Sequence, residues 1–74
     1  MKQYKDLTEE QMQWIEANEV AFKVSLRLTP DRIQNIFNYY NHITGENKKV
    51  SGCGRCIDNT KNLVYAQYKK QKGI

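Results

Sequence analysis

Leu28-Thr29-Pro30-Asp31-Arg32-Ile33 is the stretch whose reading decides the fold. Thr29 carries the side-chain oxygen of a helix N-cap, and Pro30 suits the first helical position, where its missing N–H would lack a partner anyway. Asp31 favours the positive end of the helix dipole. Leu28 and Ile33 stand where a hydrophobic staple joins the residue before the cap to the fourth helical position. The stretch predicts a helix start. Ile33, Ile36, Phe37, Tyr40 and Ile43 then follow at helical spacing, and Gly45 stands where a helix turns left-handed at its end.

Upstream, Leu7-Thr8-Glu9-Glu10-Gln11-Met12 repeats the grammar. Thr8 caps, Gln11 completes a capping box, Leu7 and Met12 form the staple, and Glu9 and Glu10 complement the dipole. A helix is expected from about residue 9 to Asn18. The following residues read two ways. As a longer helix, Trp14, Ala17, Ala21, Val24 and Leu28 make one apolar stripe, and Ile15, Phe22 and Leu26 make a second on nearly the opposite side. A helix with two apolar faces is sandwiched or self-associates. Yet Val20, Phe22, Val24, Leu26 and Leu28 also alternate with period two, as in a strand, and the chain offers no strand to pair with. Residues 19–28 are therefore either more helix or an extended link.

Downstream, Gly45 to Gly52 is a polar, basic connection whose lone Val50 is expected to dip into the core. A last helix should run from about residue 53 to Lys70, with Lys69, Lys70 and Lys72 complementing its negative end and Gly73 and Ile74 fraying. The expected fold is all-α: a single small three-helix domain over residues 1–74, with room for an extended segment between the first two helices.

Seventy-four residues make one domain. A chain of this size buries only about 60% of its unfolded surface, so a metal, a partner or self-association would add needed stability. A hydrophobic content of 39% argues against disorder. The formal charge of +4 is unevenly spread: Asp6, Glu9, Glu10, Glu16 and Glu19 precede a basic last third with Lys48, Lys49, Arg55, Lys61, Lys69, Lys70 and Lys72. Such a dipolar chain suits an acidic partner surface, or itself, head to tail. The first residues have no apolar signal-peptide core, no stretch reaches membrane-spanning length, and two cysteines make no secreted disulfide framework. Synthesis in the cytoplasm and no membrane partner are the expectations.

Ser51-Gly52-Cys53-Gly54-Arg55-Cys56-Ile57 holds both cysteines. C-x-x-C spacing lets two thiolates bind one zinc ion at about 2.3 Å. His42 is the only histidine, so one chain offers His42, Cys53 and Cys56, and a fourth donor must come from Asp58 or a second chain. A redox dithiol is the second reading, since a helix start lowers the pKa of the first thiol, but the βαβ setting of thioredoxin-like proteins is absent from the pattern. The favoured reading is structural. Cys53, Cys56, Ile57, Thr60, Leu63 and Val64 fall on one helical side, which would bury both cysteines as small apolar groups.

Two further sets bear on function. Asn35, Asn38, Tyr39, Asn41 and His42 share the polar side of the helix that follows Pro30, with Arg32 nearby, and with Lys61 and Lys69 they could contact bases and phosphates, although the connection to the last helix is longer than that of a helix-turn-helix. Trp14, Phe22, Val24 and Leu26 are the candidate protein interface, as surplus apolar residues. No nucleophile–base–acid set, phosphate loop or distinct carboxylate pair is present, so no enzyme and no cofactor beyond zinc is expected.

Tyr39-Tyr40-Asn41, Thr44-Gly45, the basic link, Ser51-Gly52-Cys53-Gly54-Arg55-Cys56 and a final amphipathic helix with Leu63 and Tyr65 together resemble small proteins of tailed bacteriophages. The resemblance covers roughly the last half of the chain. It implies a virion component or assembly factor and assigns no catalytic residue. The leading expectation is a non-enzymatic helical interaction module that binds a larger protein assembly or self-associates. A small nucleic-acid-binding protein and a zinc-stabilised module are the alternatives.

Overall fold

A computed structural model describes residues 4–23, 28–50 and 52–73. The fold is all-α. The elements are α1 (Glu9–Ala17), α2 (Glu19–Lys23), α3 (Pro30–Thr44) and α4 (Gly54–Lys72), with no strand among the described residues. The expected three helices are present as α1, α3 and α4. The open stretch 19–28 is helical over Glu19–Lys23, whereas Val24 and Leu26 lie outside the described residues.

The helix starts form as their capping residues dictate. At α1 the Gln11 amide donates to Thr8 Oγ1 (3.2 Å) and the Thr8 amide to Gln11 Oε1 (2.9 Å), closing the capping box. Leu7 is buried beside half-buried Met12. At α3 the Arg32 amide donates to Thr29 Oγ1, Pro30 takes the first position, and Gly45 adopts φ 74° as a left-handed cap. Gly73 does the same for α4 at φ 77°, donating its N–H to the Lys69 and Lys70 carbonyls, so it closes the helix and does not fray. Val50 is 45% exposed and does not reach the core, because its loop is held to α3 through Lys48.

Asn18 separates α1 from α2. Its side-chain Nδ2 donates to the Trp14 carbonyl (2.8 Å), its amide donates to the carbonyls of Trp14 and Ile15, and its own carbonyl accepts from Ala21 (2.9 Å). An asparagine that bonds the backbone locally competes with helix continuation. Across the break Ile15 and Phe22 of one stripe and Ala21 of the other are all buried, and Trp14 packs against the core.

α3 and α4 form the most extensive contact, and α1 and α2 lean on α4. Phe37, Ile15, Ile36, Ile43, Val64 and Thr60 are fully buried between them. A chain of rings then crosses the elements. Tyr39 meets Trp14 edge-on at 5.3 Å, Trp14 meets Phe22 at 6.1 Å, and Phe22 stacks on Tyr65 at 5.5 Å, which stacks on Tyr68 at 5.8 Å. Edge-to-face and offset pairs at these spacings add stability beyond the area they bury.

Extended residues before α1 are stitched to two helices. The Lys5 amide donates to the Ile43 carbonyl (2.8 Å), and the Leu7 amide to Gln71 Oε1 (2.7 Å), while Gln71 Nε2 returns a bond to the Leu7 carbonyl. Gln67 reaches the Asp6 carboxylate, and His42 Nε2 bonds the Asp6 carbonyl at 2.9 Å.

Candidate functional site

The connection between α3 and α4 carries the densest arrangement of polar, aromatic and sulfur groups. Asn41 positions it. Its Nδ2 donates to the Lys48 carbonyl and its Oδ1 accepts from the Lys48 amide, both at 2.9 Å, so one amide side chain pairs with the loop as a strand neighbour would. Lys48 is thereby aimed back over the helices. Its Nζ donates to Thr60 Oγ1 (3.1 Å) and lies 4.9 Å from the Tyr40 ring centre and 5.8 Å from that of Phe37. Thr60, fully buried, donates in turn to the Cys56 carbonyl at 2.8 Å.

On the outer side, Tyr40 donates from its hydroxyl to Glu46 at 2.8 Å, and that bond, with burial second, raises the Tyr40 pKa above its usual value. Tyr40, Gly45, Glu46, Asn47 and Lys48 line a shallow depression. Tyr4 lies close enough to Tyr40 to raise its pKa further, and is itself 54% exposed; Val50 follows Lys48 by two residues. Tyr4, Val50 and Val20 on α2 are the exposed large apolar side chains of the described residues.

Cys53 is the N-cap of α4. With φ −73° and ψ 118° it lies off the helix, exposed, and its sulfur accepts the Cys56 amide N–H at 3.4 Å. Cys56 is half-buried. Both cysteines were expected inside, and neither is. A cap residue does not follow the helical period, so counting i, i+3, i+4 from Cys53 misplaces it, while Thr60 and Val64 farther along the same face are fully buried as expected. The Cys53 thiol is held below its usual pKa, first by the Cys56 side chain, then by the Cys56 and Arg55 amides, with the Lys48 cation adding to them and burial opposing.

The other expected sites are not assembled in one chain. Among the described residues no group of three or more His, Cys, Asp and Glu converges, so His42 is not brought to Cys53 and Cys56; the imidazole is engaged with the Asp6 carbonyl instead. Of the nucleic-acid set, Arg32 is half-buried with its Nε on Asn18 Oδ1 (3.1 Å), and Lys61 is buried with its ammonium 3.7 Å from Asp58. A long lysine stem covers apolar surface while its head reaches outward, so a basic run does not reveal which cations are free. Asn38 is exposed and accepts from Gln34, Asn35 is half-buried, and Lys69 lies 5.1 Å over the Tyr65 ring. Of the interface set, Phe22 is buried at 5% and Trp14 packs against the core, because the two rings meet each other and Phe22 stacks on Tyr65 of α4. Lys48, Glu46 and Tyr4 were not singled out as site residues from the sequence. Their partners are six to twelve or more residues away without a period, and only the Asn41 position next to two tyrosines hinted at them. Comparison of the chain with protein-family models, curated proteins and solved structures finds no match.

Proposed function

We propose that this chain is a non-enzymatic helical interaction module, a virion component or assembly factor of the tailed-bacteriophage kind, that docks on a larger protein assembly through the α3–α4 connection. The observation that carries the reading is the shallow depression lined by Tyr40, Gly45, Glu46, Asn47 and Lys48, with exposed Tyr4 close to Tyr40 and exposed Val50 two residues beyond Lys48 on the same connection. Among the described residues Tyr4, Val50 and Val20 are the exposed large apolar side chains, and Val50 belongs to this connection, as Glu46 and Lys48 do. Interfaces are built in this way, from aromatic and apolar centres with polar rims. The resemblance to phage proteins spans the same segment, from Tyr39 onward.

The test uses the tagged chain expressed in its native host, with retained proteins quantified by mass spectrometry. Wild type should hold one protein in stoichiometric amount. Tyr4→Ser and Val50→Asp should each lose it, and Val20→Asp should keep it. All three positions are exposed, so thermal melting should stay unchanged. If Val20→Asp alone loses the partner, docking belongs to the α1–α2 flank. If no partner is held and native mass spectrometry gives only monomer, the reading is wrong.

A further inference from the structure

Independently of that reading, we propose that Cys53 and Cys56 are a dithiol–disulfide exchange site, which forms a reversible intramolecular disulfide by reaction with a disulfide of another molecule. The argument starts from asymmetry. The two sulfurs belong to one turn, yet they have different surroundings: Cys53 is exposed at the cap and Cys56 is half-buried one turn on. An exchange centre needs this division, an accessible thiol to attack and a sheltered one to resolve. The Cys53 sulfur already accepts the Cys56 backbone N–H at 3.4 Å, which places it against the residue that would resolve the mixed disulfide. Both residues belong to the cap and first turn of α4, so the bridge would span a single turn.

The surroundings of Cys53 favour the reactive form. Backbone N–H groups of the first α4 turn face its sulfur, and the Lys48 ammonium, held in place by Thr60 and the Tyr40 ring, adds positive potential from the loop side. The thiolate is the nucleophile in exchange, and cationic, partly exposed helix starts stabilise it. Lys48 comes from the preceding connection and is tied to this turn through Thr60, which accepts from its ammonium and donates to the Cys56 carbonyl, so the site draws on two segments.

The chemistry balances with a disulfide as oxidant. The Cys53 thiolate attacks one sulfur of a small disulfide such as oxidised glutathione, the S–S bond breaks, and one glutathione thiolate leaves and takes a proton. The Cys56 sulfur, giving up its proton to solvent, then attacks Cys53 in the mixed disulfide. A Cys53–Cys56 bond forms and the second glutathione leaves. Two protein thiols are oxidised and one disulfide is reduced to two thiols. Excess reduced glutathione reverses the sequence.

The experiment incubates reduced, purified full chain with oxidised glutathione, quenches with acid at intervals and weighs the products intact. Wild type should lose two hydrogens with no lasting adduct, and excess reduced glutathione should restore the starting mass. Cys56→Ser should stop at a stable glutathione adduct on Cys53. Cys53→Ser should react about tenfold more slowly, because the thiolate fraction sets the rate. Far-UV circular dichroism of each form shows whether the helices persist. Wild type that accumulates glutathione adducts or inter-chain dimers, or Cys53→Ser that reacts as fast as wild type while folded, would overturn the proposal. Should Cys53→Ser not fold, the order of alkylation in wild type decides: Cys53 should be labelled first, and Cys56 first would overturn it.

Discussion

Lys48 shows how much one side chain can organise in a chain of this size. It joins a loop to two helices: its backbone pairs with Asn41 of α3, its ammonium bonds Thr60 of α4, and its charge sits over the Tyr40 ring. Lys48→Met keeps the stem and removes the charge. The expected loss is about 1–2 kcal/mol, from one charged hydrogen bond and one partly desolvated cation–π contact. Thr60→Val removes the acceptor and the bond to the Cys56 carbonyl together, so its own cost exceeds the shared term. A double-mutant cycle by urea unfolding separates the two and should show coupling of about 0.5–1.5 kcal/mol. Effects that add within roughly 0.3 kcal/mol would mean that the Lys48–Thr60 bond contributes nothing to stability. The residue was legible in the sequence only as one lysine in a basic run. Its rings and its hydroxyl partner lie eight to twelve positions away, at no spacing that periodicity detects.

Among the elements, the long helices were legible and the short one was not. Helix starts are local chemistry: Thr8 with Gln11, and Thr29 with Pro30, need no knowledge of the rest of the chain. The Asn18 break depends instead on a side chain that also receives Arg32 from fourteen residues away. Two apolar stripes in the sequence did not say which would be covered, and Phe22 was assigned to the wrong side for that reason. α2 is too short to hold itself and depends on tertiary contacts. Glu19 supplies one, accepting the Tyr65 hydroxyl at 3.0 Å and pairing with Lys23 at 3.1 Å. The Lys23 bond first, and the Tyr65 bond second, hold the Glu19 carboxyl below its usual 4.5. A folded-state pKa that is lowered marks a contribution present above 4.5 and lost as pH falls through the folded value. The raised Lys23 value works in the opposite sense, with a contribution kept below 10.5 and lost at higher pH. Acidification below pH 4.5 should therefore loosen α2 ahead of the long helices. Trp14, edge-on to Phe22, reports it: its emission should shift before far-UV ellipticity falls. Glu19→Gln should remove that early phase. Coincident transitions, unchanged by the substitution, would show that α2 is not held by this carboxylate.

At the scale of the whole molecule, the residues before α1 connect stability to the proposed docking surface. They run extended, where a chain of this length can least leave backbone groups unpaired, and the ends of two helices satisfy them: Ile43 takes the Lys5 amide, and Gln71 takes both polar groups of Leu7. Tyr4, one position earlier, is positioned by these bonds. Gln71→Met keeps the side-chain length and removes both bonds. Leu7 is buried at 5%, so its amide would lose its partner where water has little access. A buried donor left without a partner costs about 1–3 kcal/mol. Two responses are expected. Hydrogen exchange should accelerate at the Lys5 and Leu7 amides and stay slow in the middle of α3 and α4, because the segment opens below the global unfolding free energy. Partner capture should weaken in step with the freed Tyr4, although Gln71 itself is remote from the depression beside Tyr40. Unchanged capture with accelerated exchange would leave docking to Val50 and Tyr40 and take Tyr4 out of the interface. Uniformly faster exchange across all four helices would show instead that the segment and the bundle unfold as one unit.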